Sequence, residues 1–137
     1  MVRRRYFFPG DIFPREEFLD GFMIFLDGSV GVRNQALVIM FMEIAKNIYD
    51  HAGGNGVATF LLSDHAIHFF IRDYGIETFN LDSIRKSGSS LAGNGVNYGV
   101  GIAGGAIESI ARGLKIGLRI NTSRGFAFRG RYQKLVG

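Results

Sequence analysis

The segment RNQALVIMFMEIAKNIYDHA, residues 33–52, constrains the fold more than any other part of the chain. Leu37, Phe41, Ile44 and Ile48 recur at i, i+4, i+7 and i+11, the spacing of one apolar helical stripe. The GGNG that follows at 53–56 ends such a helix. Three polar residues, Glu43, Asn47 and His51, also fall four apart. At 3.6 residues per turn they lie within about 80° of one another, beside the stripe rather than opposite it. They border the core, whereas Lys46 lies further round and reaches solvent. Polar groups in that position need partners, supplied by the protein or by a ligand. A carboxylate, an amide oxygen and an imidazole together suit a hydrated Mg²⁺ and the phosphates it holds.

Around this helix the pattern predicts an α+β fold. Residues 15–26 read as a short apolar helix closed by Asp27-Gly28. VATFLL (57–62) and AIHFFIR (66–72) flank Ser63-Asp64-His65 and read as a hairpin. Residues 78–98 are polar and glycine-rich, and read as a long loop acting as a lid. Residues 101–112 return to helical spacing. LKIGLRIN (114–121) and GFAFRGRY (125–132) read as strands around Thr122-Ser123-Arg124. Helices followed by hairpins predict a two-layer sandwich, with the helices on one face of a mixed, mainly antiparallel sheet. One domain over residues 1–137 is expected, since neither a repeat nor a change of composition interrupts the chain.

The chain has no cysteine, which removes disulfides and thiolate metal sites from consideration. The apolar run in MVRRRYFFPGDIF is too short for a signal peptide, and no stretch approaches the ~20 apolar residues of a membrane span. A cytoplasmic protein with no membrane contact is expected. Net charge is +4, and every charged residue after Glu108 is basic: Arg112, Lys115, Arg119, Arg124, Arg129, Arg131 and Lys134. These are expected to form a solvated sheet face beside a site for a polyanionic ligand. In sequence they lack the clustering and aromatic interleaving of a nucleic-acid surface, so nucleic acid is not an expected partner.

E-x-x-x-N-x-x-x-H-A, Glu43 to Ala52, resembles the N-box of the GHKL (Bergerat-fold) ATPases. Asp73-Tyr74-Gly75 resembles that family's D-x-G-x-G box, with Glu77 in place of the second glycine. GNGVNYGVGIAGGA (93–106) resembles its second glycine box, which cradles phosphate ahead of a helix. NTSRGFAF (121–128) stands where the family ends in S-x-x-G-x-G-T-x-F, with Ala127 near the place of the Thr. The resemblance covers roughly residues 33–132. It implies ATP and Mg²⁺ as cofactors, with Asn47 as the metal ligand. Glu43 would be catalytic, orienting water or the attacking nucleophile. Asn47, Asp50, His51, Asp73, Gly75, Gly95, Tyr98, Gly99 and Gly101 would line the nucleotide site, with Asp73 on the adenine amino group and His51 on phosphate or sugar.

Among the family's members, a stand-alone domain of this size looks most like the anti-sigma-factor serine kinases. That implies a homodimer and a protein partner, either a sigma factor or its antagonist. Besides nucleic-acid binding through the basic C-terminal third, which the charge pattern leaves as the least favoured reading, two alternatives stay open. One is the catalytic domain of a sensor histidine kinase, which would face a response regulator pathway; however, His51, His65 and His68 do not look like phosphoacceptors. The other is a nucleotide-sensing protein-binding module without turnover.

Overall fold

A computed structural model describes residues 1–75 and 102–134, with the backbone alone for 102–105. The described elements run β1 (Val2–Pro9), α1 (Arg15–Phe25), a π-helical turn (Leu26–Val30), α2 (Gln35–Ala52), β2 (Asn55–Leu62), β3 (Ala66–Asp73), α3 (Ile102–Gly113), β4 (Arg119–Asn121) and β5 (Ala127–Gln133). The strands form one sheet in the order β1-β2-β3-β5-β4. Every pairing is antiparallel, so the mixed sheet expected from the sequence gives way to a purely antiparallel one among the described residues.

Strand alternation sends one set of side chains to the helices and the other away from them. Paired positions set the inward rows: Tyr6, Ala58, Ile71, Phe128 and Ile120 form one, and Arg4, Phe60, Phe69 and Gly130 the next. Phe18 and Phe22 of α1, Leu37, Phe41, Ile44 and Ile48 of α2, and Ile107 and Ala111 of α3 join Ala58, Phe60, Phe69, Ile71 and Phe128 of these rows in a single buried cluster. The four stripe residues of α2 are all fully buried. Phe41 meets Phe60 and Phe69 edge-on at centroid distances of 5.3 and 5.0 Å, which fixes α2 across the middle of the sheet. The result is two layers, helices on one face only among the described residues. No helix of these residues is long and apolar enough to cross a membrane.

Helix ends follow local chemistry. The Asn34 side chain accepts a hydrogen bond from the Leu37 N–H (3.1 Å), a cap that contributes about 1 kcal/mol. Gly53, at φ 66°, closes the other end of α2, and the Gly54 N–H reaches the Ile48 carbonyl (3.0 Å). The stop expected at Asp27-Gly28 is not used. The helical turn runs on to Val30 and ends at Gly31, whose φ is 76°.

One element goes unanticipated in the sequence pattern and one expected strand is shortened. Residues 2–9, which carry no regular alternation, form a full edge strand. Residues 114–118 do not form a strand, because α3 ends in a Schellman turn through them. Lys115 takes the left-handed position (φ 58°), its N–H donates to the Arg112 carbonyl (3.1 Å), and the Ile116 N–H donates to Ala111 (2.8 Å). Gly130 faces inward in β5, where an added Cβ would lie 2.6 Å from the Phe69 ring and 2.8 Å from Ile116. A side chain there would overpack the core.

Candidate functional site

The C-terminal half of α2, the end of β3 and the bend before β5 converge at one end of the molecule. Asn47 is completely buried. Among the described residues neither its amide nitrogen nor its carbonyl oxygen has a hydrogen-bond partner. An amide left so costs about 1–3 kcal/mol per unsatisfied group, and a folded chain seldom keeps one without cause. It is one of the three residues that the helical spacing groups, and the one that the N-box resemblance implies as the metal ligand.

One turn on, the His51 ring packs against Phe126 at a centroid distance of 6.0 Å. Phe126 in turn donates its backbone N–H to Asp73 Oδ2 (2.8 Å), and Gly75 donates to Asp73 Oδ1 (2.6 Å). Asp73 is 1% exposed. His51, Phe126, Asp73 and Gly75 are therefore joined in a continuous set. The end of β3 is locked further by backbone bonds from Asp73 N–H to the Phe126 carbonyl (3.0 Å) and from Tyr74 N–H to the Asn55 carbonyl (3.1 Å). Gly125 makes this approach possible: its φ is 68°, and a Cβ on it would overlap the Asp73 carboxylate. Sequence reasoning placed Gly125 and Phe126 in a strand and in the segment set against the family's final motif, and gave neither a contact with Asp73. The signal available was the glycine of Ser123-Arg124-Gly125, a residue type suited to a left-handed bend.

Other predicted residues have structural partners. Glu43 is half-buried and takes the Lys46 ammonium on Oε1 (2.8 Å), one turn along the helix, so Lys46 folds back instead of extending into solvent. Glu43 Oε2 has no partner among the described residues. Asp50 binds the Arg15 guanidinium through both oxygens (3.0 and 3.1 Å) and ties α2 to the start of α1. That contact points Asp50 toward α1. Gly95, Tyr98, Gly99 and Gly101, the lid 78–98 and Glu77 lie outside the described residues.

No group of three or more His, Cys, Asp or Glu able to hold a metal occurs among the described residues. A cation at Asn47 would thus take most of its oxygen ligands from water and from a phosphate-bearing ligand, the usual habit of Mg²⁺. The orphaned Asn47 amide fits that demand, offering one oxygen to the ion and two N–H donors to phosphate. A cavity of about 530 Å³ and a smaller one of about 250 Å³ open on the opposite face of the sheet, and neither is lined by these residues. Neither a scan against models of known protein families nor a search of curated proteins returned a match to this chain.

Proposed function

We propose that this chain is a Mg·ATP-binding domain of the GHKL type that transfers phosphate to a serine of a protein partner, in the manner of an anti-sigma-factor kinase. The observation that carries the reading is Asn47, a fully buried amide with no partner among the described residues, on the same helix as Glu43 and His51. The antiparallel sheet, with helices on one face and Asp73-Gly75 at the end of its third strand, supports a Bergerat-type arrangement.

In this reading Asn47 would hold the metal, His51 would approach phosphate or sugar, and Asp73 would receive the adenine amino group. Both Asp73 oxygens accept a backbone N–H, and in this reading the same carboxylate would also accept from the base. Bound Mg²⁺ neutralises charge on the transferring phosphoryl group. Glu43 orients the attacking hydroxyl and takes its proton, with Lys46 fixing the carboxylate's rotamer through Oε1. The protein partner is a sigma factor, its antagonist or a response regulator, and the working form is a homodimer.

A nucleotide-sensing, protein-binding module without turnover is the second reading, and the engagement of Glu43 by Lys46 favours it. Glu43→Gln separates the two. If the domain turns over, the variant binds Mg·ATP with unchanged affinity, and release of labelled γ-phosphate falls about 100-fold or more, the scale of a lost general base. If wild type and variant release phosphate at the same background rate, the kinase reading fails and the module remains.

A further inference from the structure

The sheet face turned away from the helices carries a chemistry that the nucleotide reading does not use. The register gives its rows directly. Arg5, Thr59, Phe70, Arg129 and Arg119 lie side by side across all five strands. Arg3, Leu61, His68 and Arg131 form the row on one side, and Phe7, Val57, Arg72, Ala127 and Asn121 the row on the other. Six arginines thus share one face, and none of its outward strand positions is Asp or Glu. None of the six is in an ion pair with a described residue. Residues scattered through the sequence are gathered by strand alternation, which sets Phe70 between Arg5 and Arg129 in the central row. This overturns the expectation that the basic residues lack clustering and aromatic interleaving.

Like charges directly opposite on neighbouring strands repel, and Arg119 faces Arg129 across β4 and β5. An anion relieves that repulsion. The Arg129 guanidinium lies 5.0 Å from the Phe70 ring centre and that of Arg72 lies 6.0 Å from the Tyr74 ring. Phe7 is 62% exposed and Tyr74 53% exposed. The 530 Å³ cavity sits within this array, lined by Phe70, Arg72, Arg119, Asn121, Arg124 and Arg129 among others, so that four arginines and one aromatic residue share its wall. At about 4.8 Å between strands, the central row spans about 19 Å, enough for several nucleotides.

We propose that this face binds single-stranded nucleic acid, with its phosphates on the arginines and its bases stacked on Phe70 and the exposed aromatic rings. Charge complementarity selects a polyanion, and the planar donors of arginine match phosphate oxygens. Interleaved rings select bases over the carboxylates of an acidic peptide, because every base offers a face to stack and a carboxylate does not. A lipid surface needs a protruding apolar wedge of several side chains, whereas Val57 and Leu61 here are half-buried and Phe7 is the one exposed apolar side chain among the outward strand positions described.

Fluorescence anisotropy with labelled twelve-residue poly-dT and poly-U oligonucleotides tests this. Saturable binding is expected at 50 mM salt, with log K falling against log [salt] at a slope of about −3 for four phosphate contacts. Arg129→Ala and Arg119→Ala should each flatten that slope by about 0.7. Phe70→Ala should weaken binding at least 5-fold, the low end for a lost base stack, and Phe70→Trp should restore it. Melting curves of each variant confirm that the sheet is intact. The proposal is overturned if the full chain shows no saturable binding. Equal binding of poly-Glu, or of phosphatidylserine vesicles in preference to the oligonucleotides, overturns it too, as does full binding by a folded Phe70→Ala protein.

Discussion

Replacing Asn47 by Leu is expected to stabilise the ligand-free protein and to abolish its binding of Mg·ATP. The two effects have one origin. The Asn47 amide is fully buried and its two polar atoms have no partners among the described residues. Leucine has nearly the same shape and no groups to satisfy, so the desolvation cost disappears. A gain of about 2 kcal/mol follows, from the usual penalty of an unsatisfied buried group. For a chain of this length that raises Tm by about 7 °C. Affinity for Mg·ATP should fall about 100-fold or more, since the replacement removes the oxygen that would hold the ion. Thermal melting with and without Mg·ATP reads both. Wild type should melt higher when the nucleotide is added, and Asn47→Leu should not respond. A variant that melts lower than wild type and still binds nucleotide would assign Asn47 a packing role and leave the site without its centre. Selection for function explains why a chain retains a side chain that costs stability.

Asp73→Ala is expected to cost about 3–4 kcal/mol, near the upper limit for a single substitution, and to lower Tm by about 10 °C or more. Asp73 accepts the backbone N–H groups of Gly75 and Phe126 at 2.6 and 2.8 Å while 1% exposed. Its removal leaves two buried donors without acceptors and opens a void. Asp73→Asn keeps the volume but turns a donor toward one of those N–H groups, so it should lose roughly half as much. Gly125→Ala should approach the alanine variant from the other side. Its φ of 68° disfavours any side chain, and its Cβ would push into the carboxylate. If Asp73 served the ligand alone, Asp73→Ala would melt like wild type and lose only nucleotide affinity. Equal melting temperatures by calorimetry would therefore remove the structural role assigned to it.

Much of this architecture was legible because local and global signals agreed. The apolar period of α2, its Asn34 cap and its Gly53 stop all specify the same helix, which runs Gln35–Ala52. The Ser63-Asp64-His65 turn set the β2–β3 hairpin, because two alternating runs on either side of it could pair in one register only. The edge strand β1 was missed for a physical reason. An edge strand is solvated along one side, so Arg3, Arg4 and Arg5 can follow one another without cost and erase the alternation. In 114–118, Leu114, Ile116 and Leu118 alternate as a strand would, yet the Schellman turn at Lys115 claims their backbone groups.

Within the site, helical spacing identified Asn47, His51 and Glu43, but not the contacts that engage Glu43 and Asp50. Lys46 lies three residues from Glu43, a reach the spacing allowed, whereas Arg15 lies thirty-five residues from Asp50, and only the packing of α1 on α2 joins them. The arginine face was invisible for the same reason. Its members belong to four strands, and the sheet order β1-β2-β3-β5-β4 alone makes them neighbours.

The central claim is that the Asn47 end of α2 receives an adenine nucleotide through a divalent cation. Isothermal titration of ATP into the full chain, once with Mg²⁺ and once with excess EDTA, tests it most directly. The account predicts saturable one-site binding with Mg²⁺ and none in EDTA. Absence of adenine-nucleotide binding under both conditions would contradict it.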